Sequence, residues 1–313
     1  MSGTARGHVR ILLSTYNGAR FLPEQLESFR AQTHTDWSLL WRDDGSTDTT
    51  EAVMAAFATR IGADRCRRLD APSGNLGARE SFLTLLRAAT PSLDPTDAVA
   101  FADQDDVWLP EKLARGVAAL AALPSEVPAL ACTAQVLVDA TLIPFGESPR
   151  LRRPPGFPAA LTQNIATGCT ILLNRTAATL IAGSRASETT LHDWWSYLVV
   201  AAAGGRVLVD PQPLVLYRQH GANAVGAPDT TLGRAKGALR RGPAAFMRIF
   251  RDHVAALAEQ PALLNAAARA DLARLRAALD DGWTARLRVL FMPGLSRQTA
   301  LETLTFRLWF LLG

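Results

Sequence analysis

Val99-Ala100-Phe101-Ala102-Asp103-Gln104-Asp105-Asp106-Val107-Trp108-Leu109-Pro110 is the stretch that decides the fold. Its apolar first half reads as a buried strand, and the strand ends in three carboxylates packed into four positions. Pro110 then opens a helix, with Glu111 in its first turn and Leu113, Val117 and Leu120 on one face. Strand, acidic turn and helix make one unit of an open α/β sheet, where ligands bind outside the carboxyl ends of the strands. Like charges this close repel. A hard cation with oxygen ligands would compensate them, taking its remaining ligands from water and substrate phosphates. The competing reading is a solvated acidic turn before a helix; the clean apolar strand ahead of it favours the cation.

On the N-terminal side the same unit recurs. Val9 to Ser14 reads as a strand, Thr15-Tyr16-Asn17-Gly18 as a turn, and Pro23 to Gln32 as a helix with Leu22, Leu26 and Phe29 on one face. Trp37 to Arg42 is a second strand, ending in Asp43-Asp44-Gly45-Ser46-Thr47-Asp48 before a helix from Thr49 to Arg60. Cys66 to Leu69 is a short strand, and Asn75-Leu76-Gly77 turns into a helix through Arg79, Phe82, Leu85 and Leu86. This unbroken alternation predicts an α/β domain with a mostly parallel sheet.

Beyond Leu120 the pattern loosens. Ala129 to Val138 and Gly168 to Asn174 read as strands, 144–158 as a mobile Pro- and Gly-rich loop, and Arg175 to Ala182 as a helix. His192-Asp193-Trp194-Trp195 opens a helix to about Ala203. Two strands, Arg206 to Val209 and Leu214 to Tyr217, lead into Arg218-Gln219-His220-Gly221-Ala222-Asn223. From about Thr230 the chain reads as helices only, so the expected organisation is a domain over 1–230 and a helical extension over 231–313.

With 313 residues, 48% hydrophobic and 20% charged, the chain can bury a sizeable core. The net charge of +4 is uneven: residues 231–313 carry 13 Lys and Arg against 6 Asp and Glu, whereas residues 1–230 carry 20 against 23. A basic tail behind a neutral body suggests an anionic partner for the tail. Cys66, Cys132 and Cys169 are too few and too scattered for a disulfide framework or a zinc site, which points to a reducing compartment. Met1 to Arg10 lacks the apolar core of a signal peptide, and no apolar run approaches the length of a membrane span, so a cytoplasmic location is expected. P-loop, G-x-G-x-x-G and H-E-x-x-H patterns are lacking, and nucleic acid is not an expected partner. Asn174-Arg175-Thr176 matches a glycosylation sequon by chance.

Taken in order, Ser14-Thr15-Tyr16-Asn17-Gly18, Asp43-Asp44-Gly45-Ser46-Thr47-Asp48, Asn75-Leu76-Gly77, Asp103-Gln104-Asp105-Asp106 and His192-Asp193-Trp194 resemble the family 2 glycosyltransferases. Among these the set looks most like the bacterial rhamnosyltransferases of surface-polysaccharide synthesis. The resemblance covers roughly residues 8–225. It implies a GT-A fold, a Rossmann-like, mostly parallel sheet flanked by helices, here with a helical C-terminal extension. It also implies a nucleotide-diphosphate-sugar donor, Mg²⁺ or Mn²⁺, and inversion at the anomeric carbon. The acceptor it implies is a glycan or a lipid-linked glycan.

The residues can then be given roles. Thr15, Tyr16 and Asn17 follow a strand, where backbone groups can meet a base and ribose; the other reading of Asn17-Gly18 is an ordinary turn. Asp43 and Asp44 could accept hydrogen bonds from a base N–H and a ribose hydroxyl, or form a loop and cap cluster with Ser46, Thr47 and Asp48. Arg79 could meet the diphosphate or the base, or be a surface arginine. Gln104 joins these donor contacts. Asp103 would touch ribose or metal, and the family motif D-x-D, with its last Asp on the cation, makes Asp105 the leading ligand. Asp106 supports the loop. Related enzymes often bring a late His-, Arg- or Gln-rich segment onto the diphosphate and metal, which makes His220 a third metal candidate, against a satisfied loop histidine. The chain lacks the Q-x-x-R-W of processive members, which favours transfer of one sugar per acceptor.

Transfer to a hydroxyl also needs a base remote from the metal cluster. Asp193 fits, at a helix start beside Trp194 and Trp195, which could stack on a sugar; its bland alternative is an N-cap. In the tail, Leu301, Leu304, Leu308 and Leu311 line one face beside Trp309 and Phe310, with Arg286, Arg288, Arg297 and Arg307 interleaved. Such a stripe fits peripheral contact with an anionic membrane at the inner face of the cell membrane, or packing on the catalytic domain or on a second subunit of an oligomer. Two other functions share some of these features. A sugar-phosphate nucleotidylyltransferase would need a Gly-rich, Arg- and Lys-bearing first loop, which Thr15 to Arg20 does not supply. A non-catalytic nucleotide-sugar-binding module would not need Asp105 and Asp193.

Overall fold

The computed structural model describes residues 7–70, 74–221 and 231–313, the last group as backbone alone up to residue 241. Ala222 and Asn223 of the late motif, and Met1 to Arg6, lie outside the described residues. The chain forms two compact units. The first comprises 1–149, 166–183 and 208–227; the second comprises 150–165, 184–207 and 228–313.

The first unit contains β1 (Val9–Thr15), α1 (Leu22–Arg30), β2 (Trp37–Asp43), α2 (Thr50–Ile61), β3 (Cys66–Arg68), α3 (Gly77–Ala89), β4 (Ala98–Ala102), β5 (Val107–Trp108), α4 (Lys112–Ala121), β6 (Ala129–Val138), β7 (Pro144–Glu147), β8 (Leu172–Asn174) and α5 (Arg175–Ala182). Most of β9 (Arg206–Arg218) belongs to it as well. The strands form one sheet in the order β3-β2-β1-β4-β8-β6-β9-β5, with β7 paired to β6. β3, β2, β1 and β4 are parallel, whereas the β4–β8, β6–β8, β6–β7 and β5–β9 pairs are antiparallel.

The chain steps from β1 outward to β2 and β3, then returns to place β4 on the other side of β1. That reversal opens a crevice at the carboxyl ends of β1 and β4. Register carries the motifs there: Thr15 lies opposite Asp43, and Leu13 opposite Ala102, the residue before Asp103. β4 is buried along its whole length, as a strand covered on both faces requires. Alternation sends Ile11, Leu13, Ala100 and Ala102 into one layer, where Phe29 lies edge-on to Trp108 at 4.8 Å and to Trp37 at 6.3 Å. Phe101 points to the other layer and meets Phe82 at 5.6 Å.

Four local expectations are corrected. The helix after the acidic turn starts at Lys112, with Glu111 as its cap position, because Val107 and Trp108 are first drawn into pairing with Leu216 and Val215. Part of the expected loop over 144–158 is β7: Pro144 sits at the first residue of a strand, where a missing N–H is tolerated. Gly168–Thr170 is a 3₁₀ turn, which leaves only Leu172–Asn174 as a strand. The two late strands are one, β9, running through Pro211 and Pro213, which lie outside the register paired with β5. Asn174 caps α5 by accepting from the Ala177 N–H at 2.9 Å.

The second unit contains α6 (His192–Ala202), α7 (Thr231–Ala258), α8 (Ala266–Asp280), α9 (Trp283–Val289) and α10 (Ala300–Leu312). α7 breaks at Gly242, whose φ of 76° is left-handed, just before Pro243. Phe250, Phe306 and Phe310 are fully buried and pack against one another at 5.6–5.7 Å. A reciprocal capping box between Thr299 and Glu302 fixes the start of α10. Among the described residues, no helix is long and apolar enough to cross a membrane.

Phe29 joins α1 to two tryptophans in a layer without room to collapse. Phe29→Ala should cost about 3–5 kcal/mol, the usual range for a buried Phe, read as a lowered urea midpoint at unchanged slope.

Candidate active site

Three loops leave the carboxyl ends of β1, β2 and β4, and hydrogen bonds fasten each to the next. Thr15 is buried and donates its hydroxyl to Asp43 Oδ1 at 3.0 Å. Asn17 takes a left-handed φ of 48°, which Asn tolerates, and its Oδ1 accepts from the Thr47 N–H at 2.8 Å. The N–H groups of Asn17 and Gly18 donate to Ser46 Oγ and Thr50 Oγ1, both at 2.8 Å. Gln104 clamps the backbone of Tyr16 from the other side: its Oε1 accepts from Tyr16 N–H at 2.8 Å and its Nε2 donates to Tyr16 C=O at 2.9 Å. A Cβ at residue 18 would lie 2.2 Å from Gln104 Oε1, so the clamp needs glycine there. Held in this way, the Tyr16 residue is 49% exposed.

The two aspartates of the second loop do different things. Asp43, half-buried, accepts from Gly45 N–H at 3.1 Å, Ser46 N–H at 2.7 Å and Ser46 Oγ at 2.6 Å. Asp44 is buried, ion-paired with Arg42, and accepts from the Leu76 and Gly77 N–H groups at 2.7 and 2.9 Å. Its charge therefore sits at the N-terminus of α3, where the helix dipole favours it. Arg79 lies half-buried in the first turn of the same helix.

In the acidic loop, Asp105 Oδ2 meets His220 Nε2 at 2.8 Å, and both side chains are partly buried. Asp103, Asp106 and Cys169 bring potential ligand atoms within 4.8 Å of one another. Burial, and then the nearby Asp105 and Asp103, push the Asp106 carboxyl well above the usual carboxylate range. Burial also pushes the Cys169 thiol up, so it stays protonated. Lys112 is buried behind this cluster with Nζ 3.7 Å from the centre of the Trp108 ring, and burial pulls it down to about 7.

Arg218 carries a role that its place in the late motif does not announce. It is only 1% exposed and binds four places at once. Its N–H donates to Asp106 Oδ1 at 3.0 Å, Nε to the Asp105 carbonyl at 2.7 Å and Nη1 to the Ala140 carbonyl at 2.7 Å, while Nη2 pairs with Glu24. The only signal available was an arginine at the end of an apolar strand, two residues before a candidate ligand.

In the second unit, Asp193 lies in the first turn of α6, one residue inside the helix and not at the cap, which is Leu191. Its Oδ1 accepts from the Trp194 N–H at 2.6 Å and its Oδ2 from Asn164 Nδ2 at 3.0 Å. Asn164 had no sequence signal. Trp194 is half-buried, donates Nε1–H to the Ala160 carbonyl at 2.7 Å and lies edge-on to His253 at 4.8 Å. Trp195 does not flank a sugar site as expected. It is fully buried and bonded to Ser184 Oγ at 2.8 Å, because one residue along a helix turns the side chain about 100° away.

Residues 10–170 match the Glycosyl transferase family 2 domain, just over half of the chain. The chain belongs to glycosyl transferase family 2. It is 28% identical over 230 residues to the dTDP-rhamnosyl transferase RfbG of Shigella flexneri, an alignment covering 69% of this chain and 74% of that one. It is 31% identical over 106 residues to the UDP-Glc:alpha-D-GlcNAc-diphosphoundecaprenol beta-1,3-glucosyltransferase WfgD of Escherichia coli, covering 34% of this chain and 38% of that one. In fold it is similar to the mannosyltransferase PcManGT of Pyrobaculum calidifontis, solved with GDP-Man and Mn²⁺, at a TM-score of 0.53 and 19% identity over 97% and 88% of the two chains. It is also similar to S. aureus TarS solved with UDP-GlcNAc, at a TM-score of 0.56 and 12% identity over 96% and 90%. The fold is that of these glycosyltransferases, with a helical C-terminal region.

Carboxylates gathered at this loop could hold a hard cation. Asp103 and Asp105 both lie close enough to Asp106 to oppose its charge, and the imidazole of His220 meets Asp105 Oδ2. Cys169, a buried soft sulfur, is a poor match for a hard cation.

Burial holds His192 down at about 3 and His253 at about 4. The unfolded chain therefore binds protons first, below about pH 6.5, so stability is full above that value and is lost as pH falls toward the folded values. Between about pH 7 and pH 5 each histidine should remove ~2 kcal/mol. His192→Leu should flatten the loss by that amount, measured as urea midpoints at the two pH values.

Proposed function

We propose that the chain is an inverting, metal-dependent enzyme that moves one sugar from a nucleotide-diphosphate-sugar to a hydroxyl of a glycan or lipid-linked glycan, in bacterial surface-polysaccharide synthesis in the cytoplasm. The observation that carries this reading is the Asp105–His220 pair at 2.8 Å beside the crevice where β1 and β4 diverge. Rhamnose is the favoured sugar, because the relative aligned over most of its own length is named a dTDP-rhamnosyl transferase. A diphosphoundecaprenol-linked acceptor in the name of the Escherichia coli relative favours a lipid-linked glycan here.

Asp103, Asp105 and His220 would hold Mg²⁺ or Mn²⁺, and a cation bound there supplies positive charge to the departing nucleotide diphosphate. The exposed Tyr16 ring offers a face to the base, and Thr15, Asn17, Asp43 and Gln104 line or brace the same loop. Asp44 acts on the donor by shaping the loop before α3, since Arg42 and two backbone N–H groups already use its oxygens. Arg79, on the first turn of that helix, would meet the diphosphate or the base. Asp193 is the base: a carboxylate in the first turn of a helix, it takes the acceptor hydroxyl proton as the new C–O bond forms. Asn164 fixes one of its oxygens.

Asp105→Asn should weaken Mn²⁺-dependent binding of a nucleoside diphosphate by at least about tenfold, whereas metal-free binding should hold. Calorimetry that finds equal, equally metal-dependent affinities removes Asp105 from the metal. Asp193→Asn should lower turnover by on the order of 10²–10⁴-fold while sparing donor affinity. Turnover close to wild type returns Asp193 to a structural role; loss of donor binding moves it to the nucleotide side.

A further inference from the structure

The second unit carries a surface that sugar transfer does not use. Leu301, Leu304, Leu308 and Leu312 succeed one another along α10 and are 54–73% exposed. The helix itself is well anchored, since Thr303, Phe306 and Phe310 on its other face are buried. α9 and the turn after it add Trp283 at 65% exposed and Phe291 at 69%. The two stretches meet: the Arg307 guanidinium lies 4.5 Å over the Phe291 ring, and Arg286 Nη1 reaches the Phe310 and Leu311 carbonyls at 3.5 and 3.4 Å. An exposed apolar face of this size on a fixed helix marks an interaction surface.

Charge says what covers it. Residues 283–313 hold four arginines and a single acid, Glu302. Glu302 is occupied by the capping box and lies 4.0 Å from Arg297. Among the described residues, Arg286, Arg288 and Arg307 make no ion pair with a side-chain carboxylate. Arg251, which bonds the Gly313 carbonyl, stands close enough to Arg286 to oppose its charge. A second copy seated on this face by a two-fold axis would set arginine against arginine. An anionic bilayer answers both features: leucine, tryptophan and phenylalanine enter the headgroup–acyl boundary, and guanidinium groups take lipid phosphate.

We propose that α9 and α10 form a membrane-docking surface that lies in the interface of an anionic bilayer without spanning it. This adds a partner to the transferase reading and stands on the surface alone. The test is co-sedimentation of the full chain with phosphatidylcholine vesicles, with and without phosphatidylglycerol. The wild type should bind the anionic vesicles, and bind less as phosphatidylglycerol is removed or salt is raised. Leu304→Glu with Leu308→Glu should cost at least about tenfold in binding, and Arg288→Gln with Arg307→Gln should erase the preference for phosphatidylglycerol. A blue shift of tryptophan emission on vesicle addition, lost in Trp283→Phe, checks the same contact without charging the surface. Retained Mn²⁺-dependent nucleoside-diphosphate affinity in these variants separates this test from that of the transfer reaction. The proposal is overturned if the wild type ignores both vesicles, or if the variants bind as well as it does. It is also overturned if sedimentation finds a dimer that the leucine variants dissolve, which assigns the face to a second copy.

Discussion

Three carboxylates at the mouth of a buried strand repel one another, and the surrounding structure answers that repulsion in three ways. Asp106 goes inward, where burial favours its neutral form and the Arg218 N–H binds one oxygen. Asp105 is met by an imidazole. The backbone between them is held by the Arg218 guanidinium, whose own charge is answered by Glu24 and by the face of Phe21 at 4.5 Å. Lys112 stands behind as a buried base poised near neutrality. Removing one carboxylate would thus orphan its own partner and relieve the repulsion on the others, so the loop acts as a unit.

The loops above β1 and β2 follow a different rule. There carboxylates and short polar side chains replace the backbone partners that the strands no longer supply. Asn17, Ser46, Asp48 and Thr50 each bond the neighbouring loop's backbone, so one loop cannot shift without the other. Loops cross-bonded like this leave less ordering for a ligand to impose.

Much of this was legible in the sequence, and the gaps have physical causes. Strands β1, β2 and β4 and their loops could be read because a strand buried on both faces leaves a continuous apolar run that ends sharply. The partnership of Asp105 and His220 spans 115 residues, and only the family motif suggested it. Arg218 and Asn164 were missed as working residues, because a polar residue's partners are set by tertiary packing, of which sequence spacing says nothing. Trp195 was misread from adjacency alone, and β9 was read as two strands because Asp210 to Pro213 interrupt its apolar runs.

The Gln104 amide behaves as an added rung between two strands that have already parted. Its two bonds to Tyr16 mimic a backbone pair, with the reach of a side chain in place of a peptide. The gap between the ends of β1 and β4 is therefore gauged by the length of one glutamine. Asparagine, a methylene shorter, could not span it, and glutamate would turn the Tyr16 carbonyl contact into two facing acceptors. Gly18 completes the fitting by leaving room for the amide oxygen. The aperture of the crevice is in this sense written in two residues, neither of which needs to touch what enters it.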